Sequence, residues 1–179
     1  MAYSTPSTVT TGDLITAADW NQNVVNNVIF LANPPACRVY HNANQSVNDN
    51  TATVVAFNSE RYDTDNMHST SSNTSRITIN TAGLYLVVFN GRFPAANDYN
   101  VAACHLRLNG STLIASNSGG RAVTAVADLA LGVTTTYKFA ATDYVEVLVL
   151  QDNTANAARN LESVGNYSPE FSAIWIGLG

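Results

Sequence analysis

The chain has 179 residues, 46% of them hydrophobic and only 12% charged, a length that suits one medium domain or a domain with a short appendage. Asn, Ser and Thr make up roughly three residues in ten and fill the charge deficit, the composition of a polar, uncharged β surface. With a net charge of −5 and Lys138 as the only lysine, no basic patch is available to neutralise phosphates, which excludes nucleic-acid binding as a main function. The longest uninterrupted apolar run, Leu84 to Phe89, falls far short of the ~18 residues of a membrane span.

In chain order, the opening Met1-Ala2-Tyr3-Ser4-Thr5-Pro6 has neither a basic n-region nor an apolar h-region, so secretion by a signal peptide is not expected. Thr16-Ala17-Ala18-Asp19 has the spacing of a capping box and predicts a helix start. Ala17, Trp20, Val24, Val28 and Leu31 then recur at spacings of three and four, with Val25 and Ile29 widening the stripe and Asn21, Gln22, Asn23, Asn26 and Asn27 on the remaining face. Asn is a poor interior helix residue, so this amphipathic helix requires a packing partner. Asn33-Pro34-Pro35 ends it. Asn27 either lies at an axis between copies, where one polar residue can fix oligomeric state, or faces solvent.

From Ala36 onward the texture is short β-rich runs between turn residues. Strands are predicted near residues 37–41, 53–57, 76–79, 83–93, 101–108, 112–116, 121–131, 134–139, 144–152 and 170–176, about ten in all, the number of a jelly-roll sandwich. Asn109-Gly110 between Leu106-Arg107-Leu108 and Leu113-Ile114 is the signature of a type I′ hairpin. Leu84–Phe89 is apolar without alternation, and Tyr144–Leu150 is interrupted only by Glu146, so both strands are expected to lose water on both faces. The second face is covered either by another copy of the chain or by loops such as 58–75. The first option nominates Tyr85, Val87, Phe89, Tyr144 and Leu148 as an interface between copies.

Chemistry-bearing patterns are sparse. His41, His68 and His105 lack metal-site spacing, and no Gly-x-Ser-x-Gly elbow or phosphate loop occurs, so an enzyme is not expected. No cofactor is expected, the weak exception being calcium at the oxygen-rich pair Asp63 and Asp65, which lacks the Gly and terminal Glu of an EF-hand loop. Cys37 and Cys104 read as small buried hydrophobes, though their pairing is open. Tyr99 and Tyr167 sit in Asn-rich turns and are candidates for stacking on a sugar ring, the alternative being simple loop anchors.

The run Phe57-Asn58, Tyr62, Arg76-Ile77-Thr78-Ile79-Asn80-Thr81-Ala82-Gly83-Leu84-Tyr85-Leu86-Val87 resembles the C1q/TNF-like signature, with its Gly-x-Tyr-x-apolar strand. Leu106–Gly110, Thr142-Asp143-Tyr144-Val145-Glu146-Val147 and Phe171-Ser172-Ala173-Ile174-Trp175-Ile176 are similar to further pieces of it. The resemblance spans residues 37–178 and implies an all-β, ten-stranded jelly roll assembled as a homotrimer. Thr142 and Ala173 stand where that family usually has Gly, and no collagen-like stalk precedes the domain.

The segment Thr11–Asn21 leading to Asn26-Asn27-Val28-Ile29-Phe30-Leu31 resembles a short arm at the start of tailed-phage virion proteins. Together the two resemblances imply an anchor over residues 1–35 and a head over residues 36–179. Trp20, Val24, Val28 and Leu31 would form the anchor face. The expected function is a homotrimeric capsid decoration, head fibre or short fibre on the virion surface, docked on a capsid or tail protein. The alternative is a receptor- or carbohydrate-binding fibre tip that meets a host cell-surface glycan.

Overall fold

A computed structural model describes residues 3–120 and 127–179. The helix forms where its cap predicts. The Thr16 hydroxyl accepts from the Asp19 amide while the Asp19 carboxylate accepts from the Thr16 amide, so the capping box is complete. The helix is not uniform, however: α1 (Ala17–Trp20) passes through a wide π turn at Asn21–Val25 into α2 (Asn26–Ala32). Asn33 caps it and the prolines turn the chain into the first strand.

Twelve strands follow among the described residues: β1 (Ala36–Tyr40), β2 (Gln45–Val47), β3 (Thr53–Val54), β4 (Ser59–Asp63), β5 (Arg76–Thr78), β6 (Gly83–Phe93), β7 (Tyr99–Leu108), β8 (Thr112–Gly120), β9 (Leu129–Phe139), β10 (Tyr144–Asn153), β11 (Arg159–Leu161) and β12 (Glu170–Gly177). One sheet has the order β4-β1-β12-β6-β9. The second runs β3-β10-β7-β8, with β5 also paired to β10, and β2 and β11 form a separate ribbon. All ladders of both five-stranded sheets are antiparallel.

The β7–β8 hairpin turns through Asn109 (φ +49°) and Gly110 (φ +70°), as the type I′ reading requires. The Asn109 side chain also donates to Asp143 at 2.8 Å and accepts from the Tyr144 amide at 2.9 Å, which fastens the turn to the start of β10.

Three strands, β2, β4 and β11, lie where no strand is predicted. They are short and carry polar residues, so no alternation betrays them; β4 falls inside the 58–75 segment read as loop. Conversely, the two predicted strands on either side of Gly132 are one. β9 pairs with β6 without a register shift from Gly83↔Phe139 to Phe93↔Leu129, and Gly132 sits opposite Asn90 as an ordinary strand position. The expected strand over 121–131 otherwise falls largely on residues 121–126, outside the described residues.

The core lies between the two sheets. Cys37, Val39, Tyr85, Val87, Phe89, Phe171 and Ala173 face Ile77, Cys104, Leu106, Val145, Val147 and Val149. Strict alternation along β6 buries every odd residue from Gly83 to Phe93 and leaves Leu84, Leu86 and Val88 half-buried on the outer face.

Candidate docking surfaces and ligand cleft

The helix turns Asn27 and Phe30 toward the chain and leaves the stripe named as the anchor face outward. Asn27 is buried at 5% exposure and Phe30 at 2%, whereas Trp20, Val24, Val28 and Leu31 are 55%, 37%, 58% and 59% exposed. The asparagines explain this. Asn27 Nδ2 donates to the Ser4 carbonyl at 2.8 Å and its Oδ1 accepts from the Ser4 amide at 3.0 Å, so one side chain mimics a strand partner for the arm. One turn earlier, Asn23 Oδ1 accepts from the Ser7 amide at 3.0 Å. The arm is therefore folded back along the helix. Asn27 serves this clip within one chain, which replaces both positions considered from sequence.

Phe30 is the contact with the head. Its ring meets Trp175 edge-on at 4.8 Å and Tyr3 at 6.1 Å. The apolar residues of the predicted anchor are thus left on the outside, and Leu14, Ile15, Val25 and Ile29 extend the same exposed set.

The second surface is the outer face of the β4-β1-β12-β6-β9 sheet. Tyr85, Val87 and Phe89, expected between copies, are fully buried in the chain's own core, because the strand's alternation points the odd residues inward. Leu148 is also buried within the chain, at 8% exposure, flanked by Val54 on β3 and His105 on β7. Its neighbour Glu146 bonds Arg107 at 2.8 Å and Ser75 at 3.0 Å, so the outer face of β10 is covered from within, in part by the loop considered as the alternative cover. Tyr144 remains half-buried, with the Arg76 guanidinium 4.6 Å above its ring. The apolar row without cover is Leu84, Leu86 and Val88, continued by Ile174 opposite Leu86 and by exposed Ile176. Sequence carried the signal for this row in the period of two that begins at Gly83, although the unbroken apolar run hid it.

The two candidate stacking tyrosines divide. Tyr99 is 1% exposed, packs against Phe93 at 6.1 Å and donates its hydroxyl to the Pro94 carbonyl, so it is a core residue and offers no face to a sugar. Burial, first, pushes its hydroxyl pKa up to about 12. Tyr167 is 52% exposed and borders a cleft of about 330 Å³ with Asn90, Gly91, Arg92, Asp128 and Leu131. Arg92 on β6 donates to the Tyr167 hydroxyl at 3.1 Å, pairs with Asp128 and lies 2.9 Å from Glu162. Burial works against the guanidinium's charge, but the two carboxylates outweigh it and the net direction of its pKa is upward. These partners come from separate strands and loops, so no local motif announces them.

The remaining candidates make contacts within the chain. Asp63 uses both carboxylate oxygens on the amides of Asp65 and His68, and no group of three or more His, Cys, Asp or Glu among the described residues could hold a metal. Cys37 and Cys104 are free and buried; burial pushes the Cys37 thiol well above its usual range and that of Cys104 up to about 11. His41 bonds the Ala56 carbonyl at 2.7 Å and His105 the Ser116 hydroxyl at 2.8 Å.

No family model matches the chain, and no curated protein sequence matches it. Solved structures do. The globular domain of zebrafish complement 1qA superposes with a TM-score of 0.56 at 14% identity, covering 81% of this chain and 99% of that one. Murine APRIL at pH 5.0 gives 0.59 at 8% identity over 79% and 98%. Eiger TNF from S. frugiperda gives 0.57 at 12% identity over 81% and 94%. The fold is the C1q/TNF-like jelly roll, as residues 37–178 imply.

Proposed function

We propose that this chain is a non-enzymatic structural protein of a phage particle, a homotrimeric capsid decoration, head fibre or short fibre displayed at the virion surface. The observation that carries the reading is the outward apolar face of the helix. Asn23 and Asn27 spend the polar face on the arm, and Trp20, Val24, Val28 and Leu31 are left in water, which a soluble chain tolerates where a partner covers them. The partner proposed is a capsid or tail protein, on the resemblance of Thr11–Leu31 to the virion arm. Self-association of the head is supported by the uncovered row Leu84, Leu86, Val88, Ile174 and Ile176, which a second and third copy would remove from solvent.

The test is co-sedimentation with particles grown without this protein. The full-length chain is expected to pellet with them. The double variant Val24→Asp, Val28→Asp, whose changes lie on exposed positions and leave the core intact, is expected to remain in the supernatant with an unchanged melting curve. Pelleting of the variant at the level of the parent contradicts the anchor.

A second reading, a fibre tip that binds a host glycan, is favoured by the position of Tyr167 over a cleft edged by Asn90, Arg92 and Asp128. Aromatic rings stack on the apolar face of a sugar while such groups bond its hydroxyls. A glycan array probed with the chain and with Tyr167→Ala should show signals that the substitution removes; an array without signal above background counts against this reading.

A further inference from the structure

The described arginines are neutralised by carboxylates with one exception. Arg38 and Arg61 share Glu170, Arg92 has Asp128 and Glu162, Arg107 has Glu146 and Arg159 has Asp98. Arg76 has no carboxylate within salt-bridge distance among the described residues. Glu146 stands opposite it in the β5–β10 ladder, but that carboxylate is taken up by Arg107 and Ser75. Glu60 is bonded to His68 at 3.0 Å, and Asp63 accepts from the His68 amide at 2.9 Å. The Arg76 guanidinium is stacked over Tyr144 at 4.6 Å; its Nε is buried without a hydrogen-bond partner, as are those of Arg92, Arg107 and Arg159, so the missing carboxylate is what sets Arg76 apart.

An orphaned donor on a fixed cation is costly unless something accepts from it. Arg76 borders a polar cleft of about 230 Å³ with His68, Ser69, Ser72, Asn73 and Asn80, a lining without carboxylates. His68 is not the open group, because its two ring nitrogens already meet Glu60 and the Thr74 carbonyl. Nor is Asn80, whose amide donates to the Asp65 and Asn66 carbonyls. Asn73 makes no side-chain hydrogen bond, and the Ser72 hydroxyl meets only that of Ser69.

We infer that this cleft binds an oxyanion, the carboxylate or sulfate group of an acidic saccharide, with Arg76 as its charged ligand and Ser72 and Asn73 as neutral donors. A guanidinium presents a planar fork that matches two oxygens of such a group, and stacking on Tyr144 holds that fork in place in advance of binding. Hydroxyl and amide walls suit the rest of a sugar and give no reason to favour an apolar ligand. The site shares no lining residue with the Tyr167 cleft, and the inference rests on neither the docking nor the trimer reading.

The test titrates the full-length chain with sodium sulfate, N-acetylneuraminic acid and glucuronic acid, with glucose as the uncharged control. The arginine Nε–H resonances are followed by ¹⁵N NMR. One resonance, absent in Arg76→Gln, is expected to shift saturably with at least one of the anions and to stay in place with glucose. Arg76→Gln should weaken binding about tenfold or more, the scale of a lost charge-assisted bond. Ser72→Ala, which leaves the charge and the stack intact, should weaken it by less and shows the effect in a chain whose fold is not in question. A response to sulfate equal to that of the sugar acids identifies a bare anion site; a response to the sugar acids alone identifies the saccharide. No saturable shift with any anion, the same shift with glucose, or undiminished binding in Arg76→Gln overturns the assignment.

Discussion

Gly83 and Thr142 show how single positions set the head. A Cβ at Gly83 would stand 2.7 Å from the Gly177 carbonyl oxygen and overlap the Trp175 indole, so the Gly of the Gly-x-Tyr pattern is what lets β12 lie against β6 with Trp175 between them. Two residues on, Tyr85 closes the same corner by donating to the Thr81 carbonyl at 2.6 Å. Thr142 is the converse case. It stands where the resembling family has Gly, and its φ is +77°, in the turn that the Asp143 amide closes onto Ala140. A β-branched residue is strained there by about 1–2 kcal/mol. Gly83→Ala is expected to cost about 1–3 kcal/mol through overpacking. Thr142→Gly, at an exposed position, should stabilise by about 0.5–1 kcal/mol after the entropy of Gly is subtracted. Thermal unfolding checks both: the midpoint falls in the first variant and rises by a few degrees in the second. Equal midpoints would show that neither contact acts as described.

At the scale of elements, what was legible in the sequence followed from local rules, and what was not depended on partners distant in the chain. The capping box, the proline stop and the Asn109-Gly110 turn are decided by residues within four positions, and all three form as read. The helix face is decided by the arm: a periodic stripe shows that two faces differ, but not which one meets the protein. Strand parity had the same ambiguity in β6, where an apolar run on both faces concealed which residues are core. Asn27→Ala removes the Ser4 half of the clip between helix and arm while leaving Asn23 on Ser7 and Phe30 on Trp175. Limited proteolysis is expected to cut within residues 5–15 several times faster in this variant, with the head fragment surviving; unchanged cutting would mean that the arm is held by other contacts. The Tyr167 cleft lay beyond sequence reasoning for the same reason, since it gathers side chains from β6, β9 and a distant loop; the Arg76 cleft is lined by residues 66–80 alone, but that Arg76 lacks a carboxylate is decided by Arg107 and Glu146, far off in the chain.

At the scale of the whole molecule, two apolar surfaces among the described residues remain without cover in a single chain: the helix face and the outer row of β6 and β12. They sit on different elements and invite different partners. The row on the sheet suits a copy of the chain, because a closed ring of three hides one sheet face of every copy at once, while the helix face stays available for the partner proposed above. Converting the row to charge separates the two roles. Leu86→Asp with Val88→Asp should give a folded monomer, since both side chains lie on the outer, half-buried positions of β6 rather than in the core.

The most direct test is the solution mass of the full-length chain, by light scattering after size exclusion, beside that of the Leu86→Asp, Val88→Asp variant. A mass near three times 19.1 kDa that falls to one chain in the variant is the predicted result. A monomer in both, across the concentrations at which the protein is soluble, would contradict the trimer and leave the outer face of the sheet to a different partner.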